Sequence, residues 1–133
     1  MSTERELSVA SSADVVAVRQ LVRSMAVEVG LSLVDQTKLV TAASELARNA
    51  LVYAGGGEVR IVVVENGPRR GLKLVVNDEG PGIPDVEQAL TDGWTTGTGL
   101  GLGLSGSRRL VDEFDLLSAP GKGTTVTVTK WVR

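Results

Sequence analysis

The sequence contains neither cysteine nor histidine. Without cysteine there is no disulfide frame and no thiolate metal site. Without histidine there is no imidazole acid–base catalyst and no histidine to accept a phosphoryl group. Aromatic residues are scarce, with one Phe, one Tyr and two Trp, so the core has to be built from Val, Leu, Ile and Ala. No apolar run approaches membrane-spanning length. The opening MSTEREL is charged and lacks the apolar centre of a signal peptide. A cytoplasmic location is the expectation. The formal net charge is −2 and the basic residues are scattered, which gives no nucleic-acid footprint. Neither a nucleic acid nor a membrane is expected as a partner. A chain of 133 residues is long enough to bury a core, and one domain spanning 1–133 is expected.

Glycine, by contrast, is concentrated. Gly97 to Gly106 reads GTGLGLGLSG, five glycines in ten residues ahead of a helical pattern. Such density costs chain entropy. A loop feeding a helix N-terminus points free N–H groups at an anion, so a phosphate is the first ligand to test. The rival is a plain surface hinge.

The rest of the chain supplies a frame for that loop. Glu6 to Ala10 reads as a short strand. Ser12 is placed to cap a helix from Ala13 to about Val29, with Val15, Val18, Val22, Met25, Ala26 and Val29 at helical spacing. Gly30 ends it. Ser32 caps a second helix, Leu33 to Tyr53, with Asp35 in its first turn and Gly55-Gly56-Gly57 as its stop. Val59 to Glu65 and Gly71 to Asn77 read as a hairpin around Asn66-Gly67-Pro68. Asp78 to Thr98 is loop-rich, with a helical turn near Val86 to Leu90. A helix from about Leu102 to Asp112 follows. Two strands close the chain, Phe114 to Ser118 and Thr124 to Trp131, around Gly121-Lys122-Gly123. The expected fold is α+β, a two-layer sandwich with a mixed, mostly antiparallel sheet and its helices on one face.

Three glycine signatures can be set against the loop. A P-loop needs Lys-Ser or Lys-Thr after its last glycine, and here Gly106 is followed by Ser107-Arg108. The dinucleotide pattern matches in letters at Gly101, Gly103 and Gly106, but a loop precedes it where a strand is required. The eukaryotic-type kinase loop lacks its lysine strand and its HRD motif.

Two further clusters bear on the choice. Glu45 and Asn49 stand four apart and share a helix face. A carboxylate there can act as a general base, and an amide oxygen can bind a hard cation such as Mg²⁺. A solvated polar stripe describes the same pair. Asn77-Asp78-Glu79-Gly80-Pro81-Gly82 follows a strand directly. Asp78 is an acceptor-only group suited to adenine's amino group, and Gly80 and Gly82 leave room for a flat ligand. A plain turn uses the same residue types.

In this order and spacing the clusters resemble the signature of the GHKL superfamily: gyrase-type ATPases, certain chaperones, mismatch-repair ATPases and histidine kinases. Glu45-x-x-x-Asn49 looks like its N box and Asp78-x-Gly80-x-Gly82 like its adenine box. Gly97 to Gly103 looks like the glycine-rich phosphate box, and Gly121-Lys122-Gly123-Thr124 like the threonine-bearing box. The resemblance implies the Bergerat ATP-binding fold, with ATP and Mg²⁺. The phrases SELARN, YAG, DEGPGIP and KW, and the short segment between Gly82 and Gly97, further resemble the RsbT-type serine/threonine kinases of bacterial stress signalling.

That resemblance implies a kinase that phosphorylates STAS-domain partners in a stressosome-like complex and, once released, activates a PP2C-type phosphatase. It implies Glu45 as the catalytic residue and Asn49 as the metal ligand. Asp78, Gly80, Gly82 and Thr124 would hold the base. Gly97, Thr98, Gly99, Leu100, Gly101, Leu102 and Gly103 would hold the phosphates. The alternatives are an anti-sigma factor with kinase activity, which would bind a sigma factor directly, and a non-catalytic ATP-dependent switch that only binds a phosphatase. Arg48 is read as a surface ion-pair partner of Glu45. Arg19 and Arg23 fall on the polar face of the first helix, as solvated surface or as partner contact. Trp94 serves local packing or anchors a lid or partner.

Overall fold

The computed structural model describes residues 4–82 and 104–133. The elements, in order, are β1 (Glu4–Val9), α1 (Ser12–Val29), α2 (Leu33–Ala54), β2 (Gly57–Asn66), β3 (Arg69–Asp78), α3 (Leu104–Leu110), β4 (Glu113–Ser118) and β5 (Thr124–Trp131). The glycine-rich run from Gly97 to Gly103, Trp94 and the helical turn expected at 86–90 lie outside the described residues.

The two long helices are bounded by the residues expected to bound them, with one correction, whereas α3 ends at Leu110, two residues before the expected Asp112. The N-cap of α1 is Ser11, not Ser12. Ser11 has the extended backbone a cap requires, and its side chain accepts from the Asp14 N–H. Asp14 then reaches back to accept from the Ala10 N–H at 2.8 Å, a reciprocal arrangement related to the capping box. Gly30 takes the left-handed conformation at φ 102° and donates to the carbonyls of Ala26 and Val27. Ser32 caps α2 by accepting from the Asp35 N–H at 3.2 Å. The six residues chosen by spacing on α1 are its buried ones.

The five strands form one sheet in the order β1-β2-β3-β5-β4. All four pairings are antiparallel. β2 and β3 run one and two residues further into their hairpin than the sequence suggested, with Asn66 paired to Arg69. Only Gly67 and Pro68 are left in the loop. Gly67 has φ +61°, and proline tolerates only negative φ, which fits a two-residue turn with glycine in its first central position. One sheet face carries Val59, Ile61, Leu72, Leu74, Val76, Val126 and Val128, all buried. It packs with the inner stripes of α1 and α2 in a single core. These side chains alternate with polar or half-exposed residues on the other face, which is the period-two pattern of a sheet covered on one side.

One part of the buried layer is ionic. Lys130 pairs across the ladder with Leu72 and is 4% exposed. Its ammonium lies 3.6 Å from both Asp35 and Asp112. Arg133 contacts both carboxylates from the solvent side, and Asp112 also accepts from the Trp131 N–H at 2.7 Å. The cluster ties the start of α2 to the end of β5. Removing one partner of a buried pair leaves the other charge uncompensated. Lys130→Met, which keeps the packing volume, is expected to cost about 2 kcal/mol, because Arg133 still shields the carboxylates. Thermal denaturation checks this, and an unchanged melting temperature would show the pairing to be energetically idle.

Candidate functional site

The C-terminal half of α2 and the ends of β3 and β5 enclose a cleft. It is lined by Leu46, Asn49, Ala50, Tyr53, Ala54, Val76, Asp78, Pro81, Gly82, Leu104, Thr124 and Val126. Its walls are aliphatic and its polar groups are few, the usual composition of a small-molecule site. Sequence separations of up to 80 residues are bridged here.

The sheet positions two of the polar groups. Asp78 ends β3 and Thr124 begins β5, and the two are register partners. Paired residues on adjacent strands project to the same side. Gly123, at φ +75°, makes this pairing possible, since a Cβ there would lie 2.1 Å from the Asp78 carbonyl oxygen. Gly80 curls the chain back so that its N–H donates to Asp78 Oδ1 at 2.9 Å. That is the only hydrogen bond of this carboxylate among the described residues. A Cβ on Gly80 would meet Ala54 of α2 at 2.5 Å, so the loop lies tightly on the helix. Gly82, at φ +78°, has the carbonyl of Ala119 where a Cβ would stand, and the Gly121 N–H donates to the Pro81 carbonyl at 2.7 Å. The loop after β3 and the β4–β5 turn are thereby locked together.

The helix contributes the rest. Asn49 lines the cleft and Glu45, one turn earlier, does not. Both are half-buried. Four residues of helix rise about 6 Å, so Glu45 lies just beyond the cleft's edge on the same stripe. The pair expected between Glu45 and Arg48 is not formed among the described residues, and Arg48 is exposed. Arg19 is exposed on α1, whereas Arg23 is half-buried and donates to Gln36 at 3.3 Å. Gly97, Thr98, Gly99, Leu100, Gly101, Leu102 and Gly103 lie outside the described residues. Leu104, the first residue of α3, does reach the cleft.

Two participants were not singled out from the sequence. Tyr53 continues the four-residue spacing of Glu45 and Asn49 to the cleft wall, and extending that stripe by one turn would have found it. Ser118 stands behind Thr124, with their hydroxyl oxygens 2.9 Å apart. No spacing rule links them.

The cleft fits a purine nucleotide. Aliphatic walls from Leu46, Ala50, Val76 and Val126 suit a flat base, and a carboxylate at the rim with one oxygen unengaged among the described residues suits an exocyclic amine. For a magnesium ion the protein offers the Asn49 amide oxygen. Among the described residues no group of three or more acidic or imidazole side chains could hold a metal. One protein oxygen supplemented by phosphates and water is an arrangement Mg²⁺ accepts.

Comparison with known proteins identifies the family. The family model described as histidine kinase-, DNA gyrase B-, and HSP90-like ATPase matches residues 34–133. A serine/threonine-protein kinase of Bacillus subtilis, RsbT, is 49% identical over 120 residues, covering 90% of each chain. An anti-sigma F factor of Caldanaerobacter subterraneus is 30% identical over 86% of this chain and 82% of its own. Among solved structures, the RsbU and RsbW domains of a Mycobacterium tuberculosis protein superpose with a TM-score of 0.64 at 22% identity. That alignment covers 95% of this chain and 32% of the other, and it supports the fold alone.

Proposed function

Since the chain belongs to the family of histidine kinase-, DNA gyrase B-, and HSP90-like ATPases, we propose that it is an ATP-dependent serine/threonine protein kinase of bacterial sigma-factor regulation. The observation that carries this reading is the convergence of Asn49, Asp78, Gly82 and Thr124 on one aliphatic cleft, in a chain 49% identical to a serine/threonine kinase. Its partners are STAS-domain proteins as substrates and a PP2C-type phosphatase as the target it activates. It works in the cytoplasm. No described helix is long and apolar enough to cross a membrane.

When bound, ATP supplies the phosphoryl group: a bond forms from the partner's Ser or Thr oxygen to the γ-phosphorus, the bond from that phosphorus to the β–γ bridging oxygen breaks, and ADP leaves. Asp78 accepts from the base amine, with Thr124 beside it. Leu46, Ala50 and Val126 keep water off the base faces. Asn49 would hold Mg²⁺ through its amide oxygen, and the ion would supply positive charge against the phosphates. By the family resemblance, backbone N–H groups among Gly97 to Gly103 would meet those phosphates. Glu45 takes the proton from the partner's hydroxyl. Phosphoryl transfer rests mainly on positioning and charge stabilisation, so a set this small suffices.

Incubation with γ-labelled ATP and a purified STAS-domain protein tests the reading. Label is expected on a Ser or Thr of that protein. Binding of ATP without transfer to any STAS partner would leave only a binding module. Retention of a sigma factor in a pull-down, in place of a STAS protein and phosphatase, would move the chain to the anti-sigma group that the 30% relative represents.

A further inference from the structure

α3 is built more weakly than the two long helices. α1 and α2 each have a serine N-cap and a left-handed glycine at the other end. α3 has seven residues, too few to hold a helix by backbone bonding alone, so its order depends on docking. It docks on α2 through positions 104, 107 and 111, which share one face. Leu104 belongs to the core and Val111 packs against it. Between them Ser107 is 1% exposed, and its hydroxyl has no hydrogen-bond partner among the described residues. A buried hydroxyl left unpaired opposes its own burial. Beside it Gly106 is an exposed helical residue, and a Cβ there would meet nothing within 4 Å. Neither a close approach nor a left-handed backbone requires glycine at this place, yet glycine lowers the helix propensity of the segment.

The first residue of α3, Leu104, is a wall of the cleft. Resting on the nucleotide reading above, we infer that Gly106 and Ser107 make α3 a marginally docked element whose order is coupled to occupancy of the cleft. Undocking α3 withdraws Leu104, so a nucleotide binds best to the docked form. A ligand that favours one of two states shifts the balance toward that state. The undocked fraction of the free protein lowers the apparent affinity in proportion. It also loosens the bound product, so weak docking trades affinity for release of ADP. A serine and a glycine at positions that would accept alanine without a clash thus tune turnover from outside the cleft.

Gly106→Ala and Ser107→Ala favour the docked form for separate reasons, and neither residue lines the cleft. Each is expected to shift the docking equilibrium by about fivefold or more. Hydrogen exchange of the 104–110 amides in the full chain, with and without a non-hydrolysable ATP analogue, reads that equilibrium. In the wild type these amides are expected to exchange about tenfold more slowly once the analogue binds. In the double variant they are protected without it. Analogue affinity by calorimetry then rises about three- to tenfold, and ADP dissociation slows by a similar factor. Gly106→Ala alone, at an exposed position, shifts all three readouts in the same direction should the double variant fail to fold. Equal protection of the wild-type amides with and without bound analogue overturns the proposal, as does a variant with raised protection and unaltered affinity. Failure of the wild type to bind the analogue, with exchange at 104–110 still slowed in the variants, would instead place the fault in the nucleotide reading.

Discussion

Asp78→Asn is expected to raise the Kd for ATP by about a hundredfold, roughly 3 kcal/mol, while leaving the fold intact. The carboxylate is acceptor-only. Its Oδ1 is held by the Gly80 N–H at 2.9 Å, and the amide oxygen of asparagine can keep that bond. The other position then carries an NH₂ group, which faces the base amine donor to donor. A charge-assisted bond is lost and a repulsive contact replaces it. Because the Gly80 bond survives, the melting temperature without nucleotide should scarcely move. Calorimetric titration with ATP, beside a thermal melt, separates the two effects. An unaltered Kd would remove Asp78 from base recognition.

Glu45 acts at a different step. Glu45→Gln is expected to lower the rate of phosphoryl transfer by about 10² to 10⁴, the usual loss when a positioned general base is removed. ATP affinity should stay within about threefold, since Glu45 lies one turn outside the cleft lining whereas Asn49 is within it. Single-turnover transfer to the partner, measured at saturating ATP, isolates this step. A variant that binds ATP normally and transfers at full rate would exclude Glu45 from the chemistry.

The helical half of the fold was legible because its signals are local. Gly30 and Gly55 take the left-handed conformations that end α1 and α2, and the apolar spacing on α1 selects its buried face. The N-cap of α1 was displaced by one residue because Ser11 and Ser12 are chemically equivalent. The extended backbone of Ser11, its bond from the Asp14 N–H and the reach of Asp14 back to Ala10 distinguish them. Glu45 and Asn49 share a stripe as their spacing requires, and Asp78 does end a strand. Their convergence with Thr124 was legible only through family resemblance, because the strand order β3-β5-β4 is a long-range property. Lys130 looked like an ordinary charged strand residue. Its burial depends on Asp35 and Asp112, 95 and 18 residues away, and no local pattern announces such a pair. Ser118 escaped for a related reason, as it meets Thr124 only through the pairing of β4 with β5.

The pairing of Asp78 with Thr124 across neighbouring strands makes the sheet a counting device. Deleting one residue from the 119–123 turn and letting β5 slip to compensate would offer Thr125 to Asp78 in place of Thr124. A slip of one position turns every side chain of the moved strand over. Thr125 would then take the cleft side in place of Thr124, but Val126 and Val128 would turn to the open side of the sheet and leave the core. The register of the base-reading contact is thus protected against small length changes by the packing of the interior. Variation in turn length should therefore be excluded between Ser118 and Thr124 and tolerated between Asn66 and Arg69, where only the hairpin's outer end is at stake.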